Sequence, residues 1–128
     1  MQLRENAITR LATVTGIDAT AVAQTELYVV PTGKTLVVYS VVVRCTSFTV
    51  GSKSTQAVAS FGGNSATYDD YLNSVTYTVA AASVAIADNV LDTAVPVYAA
   101  GASFRIAIET GSNATTETWA VDVLGYLV

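Results

Sequence analysis

Histidine is absent from the chain. The commonest general base, metal ligand and triad partner is therefore missing, which removes zinc hydrolases and the histidine-based serine and cysteine hydrolases. Cysteine is nearly absent as well: Cys45 stands alone, so no intrachain disulfide can form, and its place in a strand-like run predicts a buried thiol rather than a reactive one. Charge is scarce. Asp, Glu, Lys and Arg together make up 12% of the 128 residues, against a usual value of about 25%. The six basic residues, Arg4, Arg10, Lys34, Arg44, Lys53 and Arg105, form no run, and the net charge is −4; phosphate neutralisation needs clustered Lys and Arg, so nucleic acid is not an expected partner. A long apolar segment is missing too. The longest, Leu36 to Val43, is interrupted by Tyr39 and Ser40 and is too short to cross a bilayer, and no basic start leads into an apolar leader. The expectation is a soluble protein made without a signal peptide, with no membrane partner and no cofactor.

What is present is a chain 52% apolar, of a length that suits one domain. A small monomer needs mixed charge over much of its surface to stay soluble. A surface of Thr, Ser, Ala and Val with so little charge points to outer faces covered by neighbours, hence to assembly.

Strand patterning dominates, since Val and Thr are abundant and no twelve-residue window keeps a 3.6-residue period. Glu26 to Val30 runs into Pro31-Thr32-Gly33-Lys34, where Pro second and Gly fourth fit a type I turn. Leu36 to Thr46 is the longest strand, with Val37, Tyr39, Val41 and Val43 on one face and Val38, Ser40, Val42 and Arg44 on the other, as a central strand covered on both sides requires. Thr55 to Phe61 alternates more weakly up to Gly62-Gly63-Asn64. Tyr68 to Leu72 reads as a helical turn or tight loop, and Val75, Tyr77 and Val79 as a half-buried strand. An alanine-rich passage, Ala80 to Ala87, leads to Pro96. Phe104, Ile106 and Ile108 on one side of Gly111-Ser112-Asn113-Ala114, answered by Trp119, Val121 and Val123, predict a hairpin. The absence of a polar tail after Leu127 predicts a C-terminus docked in a sheet. Pro31-Thr32-Gly33-Lys34-Thr35-Leu36 and Ala99-Ala100-Gly101-Ala102-Ser103-Phe104 echo one another, each a Gly turn feeding a strongly alternating strand. The fold class expected is all-β: an antiparallel β-sandwich, jelly-roll-like, with little or no helix. Residues 21–128 form that sandwich and residues 1–20 an N-terminal arm or peripheral strand. Pro31, Gly33, Gly101 and Gly111 are its structural turns.

Motifs that could carry chemistry are weak. Asp69 and Asp70 are adjacent, as capping or solvated residues are, and nothing suggests the cleft that a two-carboxylate glycosidase needs. Asp88, Asn89 and Asp92 offer oxygen ligands without EF-hand spacing and read as a turn. Gly62-Gly63-Asn64-Ser65 lacks the Lys and helix of a phosphate loop. Asn113-Ala114-Thr115 matches a glycosylation acceptor that needs a secretory route. No catalytic, cofactor or metal residue emerges, and the chain is not expected to be an enzyme. Among the aromatics, Tyr39, Tyr77 and Trp119 keep phase with apolar neighbours and are assigned to the core. Tyr68, Tyr71, Tyr98 and Tyr126 lie near turns or edges. Arg4, Arg10, Tyr71, Tyr98 and Tyr126 are the candidate interface residues.

The segment Glu26-Leu27-Tyr28-Val29-Val30-Pro31-Thr32-Gly33-Lys34-Thr35, followed by a Val-rich strand and Arg44, resembles a pattern of small tailed-bacteriophage virion structural proteins. Ser60-Phe61-Gly62-Gly63-Asn64, Tyr68 to Leu72, Pro96 to Gly101 and the ending Val121 to Val128 are similar to the same group. The resemblance covers most of residues 26–128 and transfers no catalytic residue. It implies a capsid decoration (cement) protein on the virion surface, a homotrimer whose partners are itself and the phage major capsid protein. The alternatives are a tail or tail-fibre module that binds a host receptor or glycan, which would need a concave patch with exposed Tyr or Trp beside Asp and Asn, and a tail adaptor or completion protein.

Overall fold

The computed structural model describes residues 7–88 and 96–128. The described residues form nine strands, in order β1 (Thr9–Asp18), β2 (Ala23–Val29), β3 (Leu36–Thr49), β4 (Ala57–Gly62), β5 (Leu72–Tyr77), β6 (Ala85–Asp88), β7 (Val97–Tyr98), β8 (Ser103–Thr110) and β9 (Thr116–Leu127). Among the described residues there is no helix; Tyr68 to Leu72 is a loop running into β5. All pairings are antiparallel. One sheet has the order β1-β9-β3-β6, with β7 also on β3, and the other the order β2-β8-β4-β5. Both β6 and β7 pair with β3 antiparallel, at its Val41–Arg44 and Leu36–Val37 stretches, so together they behave as one interrupted edge strand. Counting them as one, the chain passes from one sheet to the other at every step except β4 to β5, which are paired neighbours in one sheet.

The two inner faces meet in a single core. Leu36, Val38, Val41, Val43, Trp119, Val121 and Val123 come from one sheet; Leu27, Ala59, Phe61, Tyr77, Phe104, Ile106 and Ile108 come from the other. Tyr77 joins the layers by an edge-on contact to Trp119, ring centroids 5.3 Å apart, a geometry that sets positive ring edge against negative ring face.

Three expectations are corrected. Val38 pairs with Gly125 and Ser40 with Leu124, so Tyr39 is an extra residue in β3. That bulge switches the strand's phase: Leu36 and Val38 face the core before it, Val41 and Val43 after it, and Tyr39 is 53% exposed rather than buried. Second, β8 and β9 do not form a hairpin. They lie in different sheets and face each other across the core; alternation with period two is the same whether a turn joins neighbours in a sheet or crosses a sandwich. Third, in Pro31-Thr32-Gly33-Lys34 the Lys34 amide donates to the Pro31 carbonyl at 3.1 Å and Gly33 has φ +76°. Gly therefore holds the third position of a type II turn, not the fourth of a type I. Ala99-Ala100-Gly101-Ala102 repeats it, with a 3.0 Å bond from Ala102 to Ala99 and φ +86° at Gly101, so the sequence echo is an echo of geometry. The edge strand β1 pairs with β9 along its length, and Ile17 and Ala19 belong to the core.

Candidate protein interface

Strand pairing fixes which side chains share the outer face of the β1-β9-β3-β6 sheet. In β9 the residues Trp119, Val121 and Val123 face inward, so Ala120, Asp122, Leu124 and Tyr126 face outward. Tyr126 lies opposite Val37, and Val37 lies opposite Val97. Thr9 is opposite Gly125, which brings Ile8 alongside Tyr126 at the end of the same row. Val128 follows Tyr126 by two residues, held by reciprocal backbone bonds with Thr35 of 2.8 and 2.9 Å. A row Val97–Val37–Tyr126–Ile8 thus crosses the sheet, flanked by Tyr39 and Val128. Of the large apolar side chains that stay well exposed, Ile8, Tyr39, Val97 and Val128 gather here, whereas Val22, Val29 and Val50 lie elsewhere. Concentrated exposed apolar surface of this kind marks contact with another macromolecule.

Beside the row is a polar cluster. Arg44 Nε and Nη2 donate to the two Asp122 carboxylate oxygens at 3.0 and 3.2 Å, and Thr13 Oγ1 donates to Asp122 Oδ1 at 2.7 Å. Partial burial pushes the Asp122 carboxyl up, but the bonds from Arg44 and Thr13, with the charges of Arg44 and Arg10, outweigh it and hold the group below its ordinary value. Arg10 is exposed opposite Leu124.

The opposite outer face, on the β2-β8-β4-β5 sheet, is polar and partly roofed by the loop from Gly63 to Asp70. Asn64 organises that loop: its Oδ1 accepts from the Asp69 and Asp70 amides at 2.8 and 3.1 Å, and its Nδ2 donates to Asp69 Oδ1 at 2.6 Å. The bonds from Asn64 and Thr67 hold the Asp69 carboxyl below its usual range. Gln24 Nε2 ties the loop to β2 through the Ala66 carbonyl, 2.8 Å. Arg105 lies over the Tyr68 ring and 3.6 Å from Glu26. Between loop and sheet runs a groove of about 310 Å³ lined by residues including Val22, Gln24, Asp69 and Glu109 and by no aromatic ring. Among the described residues no His, Cys, Asp or Glu side chains come together as a metal site; Asn89 and Asp92 lie outside the described residues. Nor is any helix long and apolar enough to cross a membrane.

Of the candidate interface residues, Arg10 and Tyr126 come together on the apolar face. Tyr71 and Tyr98 do not: each is 5% exposed, packed edge-on or tilted against Phe104 at 5.7 and 5.4 Å, and Tyr98 donates its hydroxyl to Asp70 Oδ1 at 2.9 Å. Proximity to a turn misled there, because a Tyr at a sandwich corner can close the end of the core. Arg4 lies outside the described residues. The turn residues Pro31, Gly33, Gly101 and Gly111 all sit in interstrand connections. Val37, Val97 and Tyr39 were missed. Only the bulge reveals Tyr39, but Val97 shows a signal in its position beside an edge-compatible proline, Pro96.

Compared with solved structures, the chain is similar to a chain of the cyanophage Pam1 capsid asymmetric unit, with a TM-score of 0.59, 15% sequence identity and coverage of 100% of this chain and 90% of that one. At that identity the likeness is one of fold. No protein-family model matches the sequence, and no curated protein does.

Proposed function

We propose that this chain is a bacteriophage virion structural protein, a capsid decoration (cement) protein that binds the outer surface of the shell as a homotrimer and works without catalysis. The observation that carries the reading is the match in fold to a chain from a phage capsid, over 100% of this chain and 90% of that one. The outer sheet face supports it further, since Ile8, Tyr39, Val97 and Val128 present apolar surface on a rigid sheet, the geometry of a surface that packs against another protein. A glycan-binding tail module is less well supported: the groove has no aromatic platform and Trp119 is fully buried.

As cement, the protein binds the assembled shell and not its dissociated subunits, so it stabilises the shell by mass action, by about 2.7 kcal/mol per site when its concentration is a hundred times the dissociation constant. The test is sedimentation of the purified protein with expanded and with precursor shells formed by the major shell protein of the same genome. A trimer that co-sediments with expanded shells and raises their melting temperature is expected; a monomer indifferent to both overturns the proposal.

A further inference from the structure

The two outer faces differ in charge as well as in apolarity. Among the described residues the charged side chains on the β1-β9-β3-β6 face are Arg10, Arg44 and Asp122, with Asp18 exposed at the far end of β1, opposite Thr118; Asp122 is already taken by Arg44 and Thr13, and Asp18 accepts from the Thr20 amide and hydroxyl. Lys34 stands at the end of that sheet, one residue before the Thr35–Val128 backbone pair. Among the described residues Arg10 and Lys34 have no ion-pair partner, the pairs being Arg44–Asp122, Lys53–Glu117 and Arg105–Glu26. The opposite side shows the reverse. Glu26, Asp69, Asp70 and Glu109 cluster around β8 and the loop over it, with Arg105 as their one cation among the described residues. In a chain of net charge −4, the positive charge of Arg10 and Lys34 therefore lies beside the exposed apolar row, Asp18 stands at the other end of β1, and the larger cluster of acids lies on the far side.

Resting on the reading of the chain as shell-bound, we infer that the protein is oriented: the face built on Val37, Val97, Tyr126 and Arg10 docks onto an apolar shell surface rimmed by carboxylates, while the Glu26–Asp69–Glu109 face points to solvent. The charge asymmetry selects the partner's chemistry. Arg10 and Lys34 on the rim of a docked apolar patch attract Asp or Glu and repel Lys or Arg, which sets orientation and encounter rate. The acidic face keeps the decorated particle soluble. A second copy is a poorer occupant, because a two-fold contact of this face with itself brings Arg10 and Lys34 toward their own counterparts.

Hydroxyl-radical footprinting of the protein, free and bound to expanded shells of the same genome, tests this. Tyr39 and Tyr126 are expected to lose most of their oxidation on binding while Tyr68, on the far face, keeps its rate. The R10E variant is expected to bind at least about tenfold more weakly and E26K to bind as wild type. Protection of Tyr68 with Tyr39 and Tyr126 unchanged overturns the orientation and leaves shell binding intact. Full protection of Tyr39 and Tyr126 in the free oligomer overturns it in favour of a self-contact. Absence of co-sedimentation by the wild type overturns the shell-binding reading itself.

Discussion

Lys53 Nζ lies 2.6 Å from Glu117 Oε1, with side chains 4% and 0% exposed. The ammonium also donates to the Val79 carbonyl at 2.7 Å and stands 5.0 Å from the Phe48 ring centroid, while Glu117 Oε2 has no hydrogen-bond partner among the described residues. One of only six cations is thus buried at the end of the sandwich, bridging the β3–β4 connection to β9. Removing one partner strands a buried charge, at a cost of about 3 to 5 kcal/mol, whereas removing both in favour of apolar side chains is close to neutral. Urea unfolding of K53M, E117L and the double variant is expected to show two large losses and a double variant near wild type. Additive losses would mean that the pair is not a coupled unit.

The Arg44–Asp122 pair behaves differently because Arg44 is 39% exposed, so it contributes at most about 1 kcal/mol. The Asp122 carboxyl is held below its ordinary value, so the folded state favours the charged form. That stabilisation is present above the unfolded-state value, roughly pH 4, and fades as pH falls through the lower folded value. The stability gap between wild type and D122N is expected to be constant near neutrality and to narrow progressively as pH falls below about 4. A gap that does not narrow in acid would remove the assignment.

The architecture was legible because alternation survives in a sandwich: Phe104, Ile106, Ile108, Trp119, Val121 and Val123 all face the core as their spacing requires. What alternation cannot carry is which sheet a strand joins, hence the false hairpin of β8 and β9, or a phase shift inside a strand, hence the inversion around Tyr39. The exposed apolar face was half legible. Arg10 and Tyr126 were visible as an isolated charge and an edge aromatic, but the row that joins Tyr126 to Val37 and Val97 exists only through pairing between residues far apart in sequence. Glu117 was readable and was overlooked: it stands two positions before Trp119, in phase with the inward face of β9, and an acid at such a position calls for a buried cation. Lys53, in a polar stretch with Gly51 and Ser52, shows no such sign.

The turn glycines divide by mechanism. Gly33 and Gly101 have positive φ and nothing within 4 Å of an added Cβ, so G33A and G101A are expected to lose about 1 to 2 kcal/mol from backbone strain alone. Gly111 lacks positive φ, but a Cβ there would lie 2.2 Å from the Thr20 carbonyl oxygen, forcing two connections apart. G111A is expected to be the most damaging of the three in thermal melts, and finding it the mildest would refute the close approach between those connections.

Cys45 offers a probe of global opening. Its side chain is buried on the inward face of β3, with Sγ 3.4 Å from the Ser47 carbonyl. Burial first, then the nearby Glu117 charge, raises the thiol above its usual value against the weaker pull of the Ser47 bond and Lys53. Neither thiolate nor access is available in the folded chain, so an aromatic disulfide reagent is expected to label Cys45 only through unfolding, at a rate that follows the unfolding constant as urea is raised. Because each 1.4 kcal/mol is a factor of ten, the loss of about 3 to 5 kcal/mol in K53M should then speed labelling by roughly two to three and a half orders of magnitude. Rapid labelling of the wild type that ignores urea would mean that β3 opens on its own, and would take Cys45 out of the core that Lys53 and Glu117 help to close.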